Sequence, residues 1–429
     1  MPLPPWTVEL IRRGITDAAR KASDPETLEK LKTQATEILQ DLPETAARSI
    51  DAVMRRAEAG KESVVRWSQK QTALAVPMVN ASGTLMHSQG TGVPIADIAM
   101  QSGFALMRGD CLAGDGTGER LQQKLDRCFA NSGDVSALVA SSFPAAMTAF
   151  SQLVDERPLV IHRNHAVRLP CGTPLPDAFG TLLPVIQEVG SVGDVNISDY
   201  DSLDSFCTIM ADVGDKPLSL PDFGDRDAMK AVVLPVGTVA ALADESIPSA
   251  EATLAGGADF VLLPGDGICG GPPCGIIIGP KASLDVIAKS AAWPALAASN
   301  AFQAMMVATL ESASEGSDLV PMFSLLDTSE ENLQGRASRM QQRLSAIESI
   351  ASVEVTSDSA KLTETGRWEI ASRQLRIRHA NHSSQAWAEK LAGEVPAIVV
   401  DIQGESIVVD LRWVDAANDN ALATAIEKG

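Results

Sequence analysis

The stretch LAGGADFVLLPGDGICGGPPCGIIIG, residues 254–279, decides how the chain is read. Two apolar runs, DFVLLPG (259–265) and CGIIIG (274–279), flank a turn of glycines and prolines that begins with an acidic residue, Asp266. Apolar runs of this length, without polar alternation, belong to strands covered on both faces. The turn between them has the build of an anchoring loop. Where a reactive side chain would come after Asp266, however, stands Gly267.

The same texture recurs on the N-terminal side. SALVAS (136–141), PLVIHR (158–163), LLPVIQEVG (182–190), SFCTIMAD (205–212) and AVVLPVG (231–237) read as further buried strands, with helical segments such as 118–131, 144–154 and 249–256 among them. This predicts an α/β domain with a mainly parallel sheet, whose ligand sits at the carboxyl ends of the strands. Residues 6–72 read as helical, with Leu28, Leu31, Ile38 and Leu42 near a 3.6-residue period and Asp24-Pro25 as a start signal. After a helix around 299–314 comes a second one at 329–346. Then come ASVEVTS, RWEIASRQLRIRH, a helix at 384–392 and AIVVDIQGESIVVDLRWV, the last a hairpin around Gln403-Gly404-Glu405, and a final helix. The expected organisation is a helical region at 1–78, a large domain at 79–318 and an α+β small domain at 319–429.

Composition narrows the class. Of 429 residues, 45% are hydrophobic and 21% charged, the balance of a globular protein. No apolar run reaches the roughly 18 residues of a membrane span. MPLPPWTVELIRRG lacks the charged start and apolar middle of a secretory signal. The six cysteines are scattered, and the spacing of Cys269 and Cys274 matches no zinc signature, so free thiols in a reducing cytoplasm are expected. A net charge of −20 disfavours a polyanionic partner such as tRNA. HRNH (162–165) and HANH (379–382) repeat a histidine at i and i+3, but HRNH comes after a strand with no acidic ligand near it, and no metal is expected.

Among candidate binding residues, Ser141 and Ser142 of VASSFPAAM (139–147) stand at a strand end where a helix opens. They read either as holders of a phosphate or as ordinary helix caps. VNASGTLMHSQGTGVP (79–94) reads as a close-packed loop, in which His87 is isolated. LAGDGTGERLQQKL (112–125) lacks the Gly-Lys-Ser/Thr ending of a phosphate loop and has no strand before it. No nucleophile elbow or metal-hydrolase motif is present.

Taken in order, these segments resemble the bacterial selenocysteine synthase family (L-seryl-tRNA(Sec) selenium transferases), of the fold-type I pyridoxal-phosphate group. VNASGTLMHSQGTG looks like the family's Asn-Ala-Thr-Gly-Thr opening of the large domain. RPLVIHRNHAVRLPCGTPLPDAFG and QEVGSVGDVNISDYDSL are similar to its later loop segments. The 254–279 stretch matches its Ala-Gly-Ala-Asp strand and Gly-Asp-Lys-x-x-Gly-Gly-Pro cofactor turn, and VVDIQGESIVVDLRWV resembles its C-terminal hairpin. The resemblance spans about 79–429.

The resemblance implies a vestigial cofactor pocket at Ser141, Ser142, Arg163, Pro235, Asp266, Gly267, Gly270 and Gly271. The family's Schiff-base lysine falls on Gly267, and the acid that pairs with the cofactor ring falls on Pro235. The basic residue of one family turn falls near Gly92, AAWPALAASN (291–300) lacks the family's arginines, and GDGTGE (114–119) is neutral or acidic where the family is basic. Arg163 survives, and Lys281 lies too far along to substitute. Together these losses imply a pseudoenzyme without covalently bound pyridoxal phosphate, with a binding, regulatory or assembly role and no catalytic residues. It is expected to be a homo-oligomer, dimeric or higher, with a small phosphorylated ligand as a candidate partner. The alternative is an active transferase or lyase acting on seryl-tRNA or on a small amino or sugar acid, with its lysine supplied from elsewhere. A new enzyme reusing the pocket is a third class.

Overall fold

Residues 135–280 build a seven-stranded sheet in the spatial order Val135–Ala140, Gly275–Pro280, Phe260–Pro264, Asp227–Val233, Ser205–Ala211, Leu159–His162 and Ile186–Val189. The computed structural model describes residues 75–429, apart from 109–115, 130–132, 155–156, 170–171, 181–185, 213–215, 365–366 and the last residue. The helices expected at 6–72, Cys111, Cys171 and the start of LAGDGTGERLQQKL lie outside the described residues. In chain order the strands are β1 (Met78–Ala81), β2 (Val135–Ala140), β3 (Leu159–His162), β4 (Ile186–Val189), β5 (Ser205–Ala211), β6 (Asp227–Val233), β7 (Phe260–Pro264) and β8 (Gly275–Pro280). The second half holds β9 (Ile350–Thr356), β10 (Ala360–Lys361), β11 (Glu369–Ile370), β12 (Gln374–His379), β13 (Ala397–Gln403) and β14 (Ser406–Asp410).

The large sheet is parallel except at β8, which runs antiparallel to both β2 and β7. Its side chains sort by alternation onto two buried faces. Leu138, Ile161, Ile209, Val233, Leu262 and Ile277 join one apolar cluster, while Val139, Met210, Val232, Val261, Leu263, Ile276 and Ile278 join another. That is why these strands read as unbroken apolar runs: a sheet with helices on both sides has no wet face. Each fully buried Ile, Leu or Val contributes about 1.5–3 kcal/mol. The helix Phe143–Phe150 covers the first face with Ala146, Met147, Ala149 and Phe150. Leu125 of Thr117–Cys128, together with Met306 and Val307 of Asn300–Glu315, covers the second. The expected strand 231–237 ends at Val233. Pro235 has no N–H to continue the ladder, so only Leu234 adds one more bond, to the Leu262 carbonyl at 2.8 Å.

A second sheet of five strands has the order β1-β13-β14-β12-β9. β13 and β14 form the expected hairpin, with Gln403 opposite Ser406 and Gly404 at φ +61° in the two-residue turn. β1 lies parallel to β13, so the strand that opens the described region completes a sheet made otherwise from the last eighty residues. Leu333, Met340 and Leu344 of the helix Glu330–Leu344, Trp387 of Ser384–Ala392 and Leu422 of Asp419–Lys428 pack on it. Arg336, 3% exposed, locks two of these helices by donating to both carboxylate oxygens of Asp419 (2.9 and 2.7 Å) and to the Val414 carbonyl at 2.7 Å. Residues Pro77–Gly429 form one compact unit. No helix among the described residues is long and apolar enough to cross a membrane.

Candidate functional site

The carboxyl ends of β3, β5, β6 and β7 point the same way because these strands are parallel, and the loops leaving them carry the candidate residues. A cavity of about 340 Å³ opens there. It brings together three of the expected residues, Ser142, Pro235 and Asp266. Met86, Phe143, Pro264, Pro273 and Cys274 join them, and among the described residues no lysine or arginine lines the cavity. Gly267 borders it: at φ +62°, its missing Cβ would stand 3.7 Å from Met86 Cε.

The turn that holds Asp266 is closed by backbone bonds. The Gly265 amide donates to the Cys274 carbonyl and the Gly271 amide to the Gly265 carbonyl, both at 2.9 Å. A side chain on Gly271 would meet the Gly265 carbonyl oxygen at 2.8 Å, and one on Gly270 would meet Val320 at 2.8 Å, so these two positions serve close packing and do not face the cavity's contents. Asp266 stands at the mouth. Burial by the surrounding turn holds its carboxyl above the usual aspartate range, and no cation among the described residues offsets this. The Cys274 thiol is pushed up to about 12 by burial and by the Asp266 charge, so it is an inert thiol in the wall.

Ser142 acts as a helix cap. Its Oγ accepts from the Ala145 amide at 3.2 Å, and its carbonyl accepts from the Ala146 amide at 3.0 Å. Pro144 has no N–H to offer. The Ser141 amide is taken by the Leu296 carbonyl at 2.7 Å. The Ser141, Ala145 and Ala146 amides are therefore committed to the fold. Arg163 lies on an exposed turn beside β4, where its Nη1 donates to the Gly190 carbonyl at 2.9 Å and its Nε reaches Glu188 at 3.4 Å. It is not part of the cavity lining. Lys281 is bound to Asp126 at 2.7 Å and is half exposed.

Two groups near the strand ends, Asp212 and Arg367, escaped the sequence reading, and His165, read there only as half of a histidine pair, lies close to them. Asp212, the residue after β5, is 5% exposed and receives both Nη groups of Arg367, at 2.8 and 3.0 Å. The Arg367 guanidinium stacks on Trp368 at 4.6 Å. His165 is 6% exposed; its Nδ1 faces the Ala211 carbonyl at 3.3 Å, and its Nε2 has no partner. Burial holds this imidazole below its usual value, with the Ala211 carbonyl and Asp212 opposing. The readable signal was an aspartate directly after an apolar run in SFCTIMAD, a charge that only a distant partner could balance.

The histidine pairs are structural in form. His162 accepts from the Asn164 amide at Nδ1 and contacts Asp199 through Nε2 at 3.1 Å. His379 Nδ1 accepts from the Asn381 and His382 amides, both at 3.0 Å. Among the described residues, no group of three or more His, Cys, Asp or Glu is placed to hold a metal ion. The expected close-packed loop after β1 is held by Asn80, whose Nδ2 donates to the carbonyls of Thr84, Leu85 and Thr91 at 2.9, 3.2 and 3.0 Å. Gly92 passes so near that a Cβ would fall 2.7 Å from Asn80 Cβ.

The parallel-rich sheet, its antiparallel β8 and the cavity at the strand ends define a scaffold of the fold-type I pyridoxal-phosphate transferases. Consistent with this, the structure of D-glucosaminate-6-phosphate ammonia-lyase superposes with a TM-score of 0.60 at 16% identity, covering 83% of this chain and 96% of that one. Residues 236–415 match the family SelA, L-seryl-tRNA selenium transferase. The L-seryl-tRNA(Sec) selenium transferase of Carboxydothermus hydrogenoformans is 23% identical over 368 residues, 79% of this chain and 78% of that protein. That of Clostridium botulinum is 21% identical over 405 residues, 86% and 87% of the two chains. The chain is thus similar to the L-seryl-tRNA(Sec) selenium transferases, the family that its motifs resemble.

Proposed function

We propose that this selenocysteine-synthase-like protein performs no Schiff-base chemistry on pyridoxal phosphate and acts in binding, regulation or assembly, as a homo-oligomer. The observation that carries the reading is Gly267: in the turn that matches the family's cofactor motif it offers no amine, and among the described residues no lysine lines the adjoining cavity. The residues present do not fit the family cofactor. A covalent anchor needs an amine, the ring nitrogen needs a carboxylate where Pro235 stands, and a phosphate would share the cavity with Asp266. The test is incubation of the full chain with pyridoxal phosphate. No internal-aldimine absorbance band is expected. A band that borohydride fixes to a lysine of this chain would overturn the proposal.

The names of the relatives support a second reading, in which the chain is an active transferase on seryl-tRNA, or a lyase on a small amino or sugar acid, with its lysine contributed by another subunit. The net charge of −20, and a cavity that no arginine of the described residues lines, weigh against the tRNA form of it. Retention of aminoacylated tRNA in a filter-binding assay would favour this second reading.

A further inference from the structure

We propose that the cavity between β7 and the helix Phe143–Phe150 binds a small organic cation: an ammonium group on an apolar body, held by the Asp266 carboxylate. The inference rests on the proposed function, in which no lysine adduct occupies the cavity, and it names the ligand class that the remaining chemistry selects.

Three observations converge. First, the lining is apolar on most sides, with Met86, Phe143, Pro235 and Pro273 around a volume of about 340 Å³, at the lower end of small-molecule sites (roughly 300–1,000 Å³). Second, Asp266 is the charged residue of that lining among the described residues; it is exposed to solvent, and no salt bridge or hydrogen bond pairs it with a cation of the described residues. A carboxylate at the exposed rim of an apolar space, with no counter-charge, offers a donor-only cation a charge-assisted contact while the ligand's apolar body leaves water. Third, the features that would welcome an anion are missing or committed. Pro144 has no N–H, the Ala145 and Ala146 amides are bound to Ser142, and among the described residues no arginine or lysine lines the cavity. An anion entering would meet Asp266 without compensation.

The glycine contributes directly. With no side chain at Gly267, the space in front of it reaches the Met86 thioether, 3.7 Å from where a Cβ would stand, and an apolar body has room to lie there. Phe143 adds an aromatic wall of the kind that attracts organic cations. The substitution that removes the family's amine thus opens the room for an amine carried by a ligand.

The test compares three probes of one shape on the full chain by isothermal calorimetry at neutral pH: benzylammonium, benzyl alcohol and benzoate. Benzylammonium is expected to bind about tenfold or more tightly than benzyl alcohol, the worth of one charge-assisted contact, and benzoate is expected not to bind. Asp266→Asn should bring the ammonium and alcohol affinities together. Met86→Trp, which fills the cavity from the opposite wall, should abolish binding of both. Equal affinity of ammonium and alcohol in the unmodified chain, or an ammonium preference that survives either substitution, overturns the proposal. The pyridoxal-phosphate experiment keeps the two readings apart. An aldimine overturns the functional reading, whereas no aldimine together with no ammonium preference overturns this inference alone.

Discussion

Arg367 closes a bidentate pair on Asp212 across 155 residues of sequence, at 2.8 and 3.0 Å, and thereby ties the segment around β11 to the carboxyl end of β5. Both side chains are largely withdrawn from water, at 12% and 6% exposure. Removing Arg367 leaves the Asp212 charge buried, and removing Asp212 takes away the bidentate partner of Arg367. Arg367→Ala or Asp212→Ala is therefore expected to destabilise the protein by about 3–5 kcal/mol. The double substitution should cost less than the sum, because no orphaned charge remains. Urea denaturation of the three variants reads this coupling, and strict additivity would refute it.

Gly267→Ala separates backbone strain from space. The nearest atom to the added methyl is Met86 Cε at 3.7 Å, an ordinary contact, but φ is +62°. A loss of about 1–2 kcal/mol is expected from the left-handed backbone alone. Gly267→Lys should lose about the same and give no turnover on seryl-tRNA, since Pro235 still stands where the ring's carboxylate partner is needed. Denaturation midpoints check the first claim and a selenium-transfer assay the second.

His165 makes stability fall on the acid side of neutrality. Its folded value lies below the ordinary 6.5, chiefly through burial. Below about pH 6.5 the unfolded chain takes up a proton that the folded imidazole refuses, so its contribution is present above that pH and lost as pH falls towards the lowered folded value. Asp199 acts in the same sense further down: its hydrogen bond to His162 holds it below 3.8, and its contribution is present above that pH and fades as pH falls through the lowered value. His165→Gln is expected to flatten the fall in denaturant midpoint between pH 7 and 5. An unchanged slope would show that another group is responsible.

Thiol labelling should track burial. Cys207 and Cys274 are pushed up to about 12 and Cys269 further still, all mainly by burial. Iodoacetamide is expected to leave these three unmodified in the native protein and to label them in denaturant, as mapped by mass spectrometry. Cys128 is exposed but raised by burial and by Glu311, so it should react slowly. Native labelling of Cys274 would show that the turn carrying Asp266 opens.

The sheet was legible because its strands are dry on both sides. PLVIHR, DFVLLPG and CGIIIG each became a strand within a residue or so of its expected ends. Where a proline interrupted the run, at Pro235, the apolar pattern outlasted the hydrogen-bond ladder and the strand ended earlier than it reads. β10, two residues long, carries no periodicity and was unreadable, and RWEIASRQLRIRH, read as one segment, divides into the two-residue β11 and the longer β12. In the cavity, Ser142, Pro235 and Asp266 were found because they sit next to strand ends. Met86 was not, because it arrives from a loop far upstream whose course is fixed by Asn80 and Gly92, and nothing local in TLMHSQG marks it as a wall. Arg163 shows the opposite failure: a basic residue in the right place along the chain, turned outward to Glu188 and Gly190.

The pairing of β1 with β13 sets an order of events during synthesis. Met78 emerges from the ribosome roughly three hundred residues before its partner Ala397 exists, and contacts of such long range are slow to close. The smaller sheet therefore cannot be finished until nearly the whole chain is out, whereas the seven strands of the larger one, all before residue 281, are available much earlier. A nascent chain halted after Leu344 would carry Val79 and Ala81 as an unmatched edge, the natural place for a chaperone to bind or for two incomplete copies to stick together.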